Sequence, residues 1–360
     1  MKRRDAIRRG GLLGVLAAGA APAVHAQQAI RWRLASSFPK SVDTLWGFSE
    51  TVSKMVDDMS GGRFKISTHS SGELVPPFGV VDAVQNGSVD MTHTAPYYFS
   101  GKSVVFALAS GIPFGFNARQ MDSWMMYGNG RKLMSDFFSD YNMVYLDGGH
   151  TGTQMGGWYR KEINTLADLK GLKMRMGGGL VGEIMGRMGV VAQNIPPADI
   201  YPALEKGTID AVEWIGPHDD QKLGLQKVAP FYYYPGWWEG DAHGAVFVNA
   251  KQYASLPSEF KAMLTAACAF ASKNTLAQYD GKNPVALKQL VAGGAKVKGF
   301  SNQILDQAFK TTMEVYAELQ AKDPVWAKIY GDMRAYQRDL MVWARFSELR
   351  YDQYLSTKKI

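Results

Sequence analysis

Arg175 stands where an anion-binding residue of an α/β protein is expected. Residues 172–176 read Leu-Lys-Met-Arg-Met, and two-residue alternation puts Lys173 and Arg175 on one face of a strand. Gly177-Gly178-Gly179 follows at once, and a helical pattern begins at Val181. Arg175 then emerges at the carboxyl end of its strand, where open α/β sheets bind ligands. A guanidinium fork offers a carboxylate two parallel, charge-assisted hydrogen bonds. The three glycines let backbone N–H groups come close to a small anion at the start of a helix. They lack the longer strand-linked G-x-G-x-x-G fingerprint of a dinucleotide site. Taken alone, Arg175 would be a surface ion pair.

Two further groups invite chemistry. Tyr97, Tyr98 and Phe99 follow the strand-like Val89–Thr92, so one tyrosine hydroxyl could bond a keto oxygen or a carboxylate. Glu213 and Glu239 sit among Trp214, Trp237 and Trp238, surroundings in which an unpaired carboxylate is costly. The histidines beyond residue 26 are His69, His93, His150, His218 and His243. None has zinc-type pair spacing, and none is near Cys268 in sequence. No G-x-S-x-G elbow or Walker-type loop occurs. A binding protein is expected rather than an enzyme.

The elements that must carry these residues alternate. Ile30–Ala35 reads as a strand and Val42–Met59 as an amphipathic helix closed by Gly61-Gly62. Phe64–Thr68 is a strand, Phe78–Gln85 a helix and Val89–Thr92 a strand. After Asn142 the rhythm resumes, with strands expected at 143–146, 154–158, 172–176, 190–194, 209–214 and 245–249. Strand–helix–strand order implies parallel pairing, so the class is α/β. No repeat or low-complexity linker divides the chain, as expected of two lobes joined by several crossing strands. Lobe 1 is expected over residues 27–150 with a return near 244–300. Lobe 2 is expected over 151–243 with a return near 301–324. A single long C-terminal helix is expected over 325–356. Along it Ile329, Met333, Tyr336, Leu340 and Trp343 step by four, three, four and three residues, the spacing of a heptad stripe. The stripe packs either on the chain's own lobes or on a second subunit.

The N-terminus carries an address. Lys2 to Arg9 is basic, Gly10 to Ala23 is apolar and small, and Val24-His25-Ala26 is a cleavage-type site, so residues 1–26 read as an export signal peptide. Arg3-Arg4 fits twin-arginine export, but Arg8-Arg9 leaves the route open. Five basic residues against Asp5 in this segment supply four of the seven net positive charges. The remainder is too mild and dispersed for a nucleic-acid partner. Cys268, the one cysteine, lies in an Ala-rich run that reads as a buried helix, so packing alone must stabilise the exported protein.

These stretches together resemble the extracytoplasmic solute receptors of tripartite ATP-independent periplasmic (TRAP) transporters, in the branch that binds 2-oxo acids and lactate. The resemblance is carried by residues 30–39 (IRWRLASSFP), 82–87 (DAVQNG), 154–158 (QMGGW), 168–175 (DLKGLKMR), 201–210 (YPALEKGTID), 213–214 (EW) and 232–240 (YYYPGWWEG). It implies a two-lobed fold like that of type II periplasmic binding proteins, with a small 2-oxo monocarboxylate such as pyruvate held between the lobes. It further implies that Arg175 clamps the substrate carboxylate and that Gln154, Glu213, the Trp214 carbonyl and Glu239 hold a cation chelated by the substrate. Gln154, Trp214, Tyr97 and Tyr98 would also face the substrate. Such hard oxygen donors suit sodium or calcium rather than zinc. Arg175 cancels a monocarboxylate, so two ionised glutamates leave calcium in a neutral site and sodium in a site of charge −1. The family also implies membrane subunits as partners and a homodimer formed through the C-terminal helix. The sequence departs from the family at Met176–Val181, where a bulkier side chain is expected near the turn, and this leaves the length and branching of the acid open. An ABC-type receptor would share the fold without needing the Gln154, Glu213 and Glu239 cluster. A periplasmic metal-dependent hydrolase or lyase would need a base near the metal, for which His93, His150 and His243 are the candidates.

Overall fold

A computed structural model describes residues 29–359; the expected export signal lies outside them. The strands form two sheets. The first contains β1 (Ile30–Ser36), β2 (Phe64–His69), β3 (Met91–Thr94), β4 (Met143–His150) and β10 (His243–Asn249), in the order β2-β1-β3-β10-β4. β1 is parallel to β2 and β3, while β10 runs antiparallel to β3 and β4. The second contains β5 (Trp158–Tyr159), β6 (Lys173–Arg175), β7 (Val191–Gln193), β8 (Ala211–Val212), β9 (Phe231–Tyr234) and β11 (Lys296–Gly299), in the order β11-β9-β5-β8-β6-β7. Here β6 is parallel to β7 and β8, and β5 is antiparallel to β8 and β9.

Local patterning accounts for these elements. β1 alternates exposed Arg31 and Arg33 with buried Trp32 and Leu34. Helix α1 (Asp43–Ser60) buries Leu45, Phe48, Val52 and Val56, the three-to-four spacing of one face. It stops at Gly61, whose left-handed conformation (φ 59°) closes the helix. Helices α2 (Val80–Gln85), α3 (Ala118–Tyr127) and α4 (Gly130–Ser139) complete the surroundings of the first sheet. α5 (Gly179–Arg187), α6 (Ile200–Glu205) and α7 (Pro217–Leu223) accompany the second.

Three expectations need correction. Residues 154–157 are not a strand but an extended crossing. The chain bends at Gly157 (φ 83°), where a Cβ would lie 2.4 Å from the Val212 carbonyl, so β5 begins only at Trp158. After the short helix α8 (Ala250–Ser255), helix α9 (Ser258–Ala292) carries the chain from one sheet to the other, packing on α1 and β4 and then on α7. β11 therefore belongs to the second sheet, although the return to the first lobe was expected to run to residue 300. Cys268, expected in a buried helix, is buried within α9.

The third correction concerns the C-terminus. α10 (Asn302–Lys322) is followed by α11 (Pro324–Phe346), which starts at Pro324 with the Asp323 side chain accepting from Val325 N and Trp326 N. The single helix expected over 325–356 is broken at Ser347, whose hydroxyl donates back to the Trp343 carbonyl at 2.9 Å, and α12 (Glu348–Ser356) follows. Along the heptad stripe Ile329 and Met333 are buried on the chain's own helices, whereas Trp343 is 61% exposed. No helix among the described residues is long and apolar enough to cross a membrane.

Candidate functional site

Strand direction brings distant residues to one edge. The carboxyl ends of β6, β8 and β9 lie beside the amino end of antiparallel β5. Arg175 ends β6, Glu213 follows β8, Glu239 follows β9 and Gln154 precedes β5. Backbone bonds fix their neighbourhood: Glu213 N to Arg175 O (3.2 Å), Gln154 N to Glu239 O (3.2 Å), Met155 N to Ile215 O (2.9 Å) and Gly236 N to Gln154 O (2.9 Å). Tyr97 and Tyr98 approach from the first sheet, in the one-turn 3-10 helix Pro96–Phe99 directly after β3. The two rings lie edge to face at 5.1 Å, and both line a small cavity together with Phe38, Leu45, Trp214 and Ala242.

The glycine turn makes this approach possible. A Cβ on Gly177 would stand 3.1 Å from Glu213 Oε1, 3.2 Å from the Tyr97 ring and 3.3 Å from Glu239 Oε1. The bulkier residue expected after Arg175 has no room here.

Arg175 is 1% exposed. Its Nε donates to the Ile195 carbonyl (3.2 Å), and its Nη1 donates to the Glu213 carbonyl (2.8 Å) and to the Glu213 carboxylate. Its guanidinium carbon lies 5.0 Å from the Trp214 ring centroid, a cation–π contact. Nη2 has no partner. Three buried oxygens are also unpartnered: Gln154 Oε1, Glu213 Oε2 and Glu239 Oε2. The other end of the Gln154 amide donates to Thr151 Oγ1 (3.2 Å). Buried polar groups are normally satisfied, so four orphans from four residues in one place mark a site built for something else.

Electrostatics agrees with that reading. Burial pushes the Glu213 carboxyl up, with Arg175 pulling it back. Burial and then the Glu213 charge push Glu239 well above the usual carboxylate range, with Arg175 again opposing. Two acids share one buried guanidinium, so one negative charge is uncompensated when both ionise. The orphan oxygens belong to an amide and two carboxylates, hard donors that fit an alkali or alkaline-earth cation.

All seven residues named from the sequence thus converge: Arg175, Gln154, Glu213, Trp214 and Glu239 on the second-sheet side, Tyr97 and Tyr98 opposite. The three candidate bases do not join them. His93 bonds Ser49 (3.1 Å) and the Gly148 carbonyl (2.8 Å), and burial lowers its pKa to about 4. His150 lies between Asp241 (2.6 Å) and Asp122 (2.9 Å), and His243 bonds the Tyr145 hydroxyl (3.0 Å). Sequence reading missed Thr151 and the Ile195 carbonyl, which hold Gln154 and Arg175, and the cavity wall of Phe38, Leu45 and Ala242. Phe38 alone left a signal, since it follows β1 at a carboxyl end of the first sheet.

The sequence pattern of bacterial extracellular solute-binding protein, family 7 (DctP), matches residues 36–323. The chain belongs to this family. Family 7 membership sets aside the ABC-type alternative. A monocarboxylate 2-oxoacid-binding periplasmic protein of Nostoc sp. (strain PCC 7120) is 43% identical over 330 residues, 92% of this chain and 90% of its own length. A TRAP transporter solute-binding protein of Bordetella bronchiseptica RB50 is 45% identical, with a TM-score of 0.90 and coverage of 91% of this chain and 97% of its own. That crystal structure is a mixed-occupancy dimer, with copurified calcium and picolinate in one active site and an apo site beside it. A TRAP periplasmic solute-binding protein of Pseudoalteromonas atlantica T6c, solved with sodium and pyruvate, is 37% identical at a TM-score of 0.88, covering 92% and 100% of the two chains. The present receptor shares their fold over about nine-tenths of its length.

Proposed function

We propose that this receptor works in the periplasm, captures a small 2-oxo monocarboxylate such as pyruvate together with sodium or calcium, and delivers it to the membrane subunits of a TRAP transporter. The observation that carries this reading is the cluster of orphaned polar atoms around Arg175. Nη2 is free to take a carboxylate, while Gln154 Oε1, Glu213 Oε2 and Glu239 Oε2 are free to take a cation. The Trp214 carbonyl is the fourth protein ligand in this proposal. The bound cation supplies positive charge that lets both glutamates stay ionised and gives the acid a second point of attachment. Arg175 orients the acid, Tyr97 and Tyr98 cover it from the first lobe, and the apolar wall of Phe38, Leu45 and Ala242 receives its tail. Capture and release follow closure and opening of the lobes.

A second copy of the chain completes the unit in this proposal. Val342, Trp343, Phe346, Tyr351 and Tyr354 are each more than half exposed on α11 and α12, a larger apolar run than a free helical arm usually shows.

The test is calorimetric titration of dialysed protein with pyruvate, 2-oxobutyrate, a branched 2-oxo acid and lactate, each with chelator, added sodium and added calcium. One-to-one binding that requires a cation is expected. Failure of every monocarboxylate under every cation would remove the ligand assignment.

A further inference from the structure

We propose that Asp43 is a closure latch: its carboxylate ties the two lobes at the rim of the ligand cavity and sets how long the bound acid is retained. Asp43 opens α1 of the first lobe. Its Oδ1 meets His218 Nε2 at 3.0 Å and Lys222 Nζ at 2.9 Å, both on α7 of the second lobe. Its Oδ2 meets Lys282 Nζ of α9 at 3.4 Å, and that ammonium also donates to Thr44 Oγ1 (3.0 Å).

The position is what gives this cluster consequence. Leu45, two residues beyond Asp43, and Ile215, three residues before His218, are both walls of the ligand cavity. α1 follows β1 and α7 follows β8, so both helix starts lie at the cleft side of their sheets. α7 is otherwise held by α9, through His218 N to Asn283 Oδ1 (3.0 Å) and Tyr279 OH to Asp219 Oδ2 (2.6 Å). Asp43 is the acid through which α7 is tied to α1. Opening the cleft parts those two helices, so the contacts across it belong to the closed form.

Charge fixes the role. Asp43, His218 and Asp219 offer ligand atoms within 4.8 Å of one another, the outline of a metal site. Two ammonium groups already stand on the Asp43 carboxylate and supply the positive charge a metal would bring. Removing the Asp43 charge leaves Lys222 and Lys282 facing the same point with nothing between them. The closed form then loses an attraction and gains a repulsion, while no atom that touches the acid changes. Asp43 is a positioning residue that acts through the lobes.

The test compares the wild-type protein, Asp43→Asn and the charge reversal Asp43→Lys with Lys222→Glu. Stopped-flow release of pyruvate in the presence of calcium rests on the ligand assignment above. Partly exposed pairs are individually weak, so Asp43→Asn should speed release roughly three- to tenfold. The reversal should restore part of the difference, the α1–α7 pair, because Lys282 still faces position 43. Raising ionic strength from about 0.01 M to about 1 M shortens screening from ~30 Å to ~3 Å, so wild-type release should quicken with salt and Asp43→Asn should not. A second arm needs no ligand: spin labels on exposed Lys65 and Glu205, replaced by cysteine, report the distance between the lobes. Asp43→Asn should shift that distribution toward the longer, open distance. Equal release rates with equal salt dependence, or superimposable distance distributions, overturn the latch. Failure of pyruvate to bind the wild-type protein overturns the ligand assignment instead and leaves the distance arm to decide.

Discussion

Replacing Arg175 by lysine separates charge from geometry at the proposed carboxylate contact. Arg175 uses three nitrogens differently: Nε holds the Ile195 carbonyl, Nη1 holds Glu213, and Nη2 is left over. A lysine ammonium is one point with three donors, and it cannot serve Glu213, Ile195 and a ligand lying in three directions. If it stays with Glu213, the ligand loses about two charge-assisted hydrogen bonds. At ~1.5 kcal/mol or more each this is ~3 kcal/mol, or about a hundredfold in Kd. The positive charge between Glu213 and Glu239 persists, so Tm should move by only a few degrees. Arg175→Met removes that charge and strands the buried Glu213, and a broken buried pair costs about 3–5 kcal/mol of stability. Calorimetry with pyruvate at fixed calcium, run beside thermal unfolding, reads both quantities. Arg175→Lys binding within threefold of wild type, at unchanged Tm, would show that the free Nη2 is not the carboxylate contact.

Three other perturbations probe separate parts of the design. Gly177→Ala puts a methyl 3.1 Å from Glu213 Oε1 and 3.3 Å from Glu239 Oε1, so it should spread the two carboxylates. Calcium affinity by calorimetry should fall about tenfold, the 1.4 kcal/mol that a modest misplacement of ligands represents, with unfolding little changed. His150→Gln removes the buried cation between Asp241 and Asp122 and should cost about 3–5 kcal/mol in denaturant unfolding. Burial opposes the His150 charge but is outweighed by those two acids, which push the imidazole from 6.5 up to about 10. Its contribution is therefore complete below pH 6.5 and is lost as pH rises toward 10, so wild-type stability should decline across that window and the variant should lack this part of the slope. The pair Trp343→Glu and Phe346→Glu should convert a dimer to a monomer in sedimentation velocity while monocarboxylate binding per chain is retained.

Legibility in the sequence followed the range of the interactions. Arg175 could be read because strand alternation and the glycine turn lie within a few residues of it. The α/β class could be read because strand and helix periods alternate along the chain. The tryptophans around Glu239 marked it as an unusual acid, but that Gln154 and Glu239 act together could be assigned only through family resemblance, because both sit in extended crossings that carry no period. Their meeting depends on a hydrogen bond between segments 85 residues apart, Gln154 N to Glu239 O. The same holds for Asp43 with His218, separated by 175 positions. The overrun of the expected first-lobe return had a different cause. α9 buries one continuous stripe, from Phe260, Leu264 and Ala271 through Tyr279 to Ala286 and Leu290, first against α1 and β4 and then against α7, so nothing in its pattern marks where one lobe ends. At the C-terminus the apolar stripe ends at Trp343, and the helix was expected to run on because residues 325–354 hold no proline and glycine only at Gly331; composition is blind to a hydroxyl that bonds its own helix.

The placement of Gln154 and Glu239 ties chemistry to motion. Both lie on the segments that cross between the sheets, and those segments are bonded to each other at Gln154 N to Glu239 O and Thr151 N to Ala242 O, each 3.2 Å. Asp241, two residues from Glu239, accepts from Gly152 N (2.9 Å) and from the charged His150, so the crossings are clamped on the first-lobe side as well. A hinge built this way can bend only where it is not clamped. In the proposed reading a cation held by Gln154 and Glu239 joins the two crossings, and Glu213 joins them to the end of β8. The acid held by Arg175 then needs only Tyr97 and Tyr98 to complete its surroundings. Without a cation, burial raises both glutamates and the orphaned oxygens remain unsatisfied, a condition that favours letting water in by opening. With cation and acid in place the same burial becomes favourable. Closure is thus stabilised by the ligand pair at the centre and by the Asp43 charges at the rim, and the rim contribution is the one that can be tuned without altering which acid is recognised.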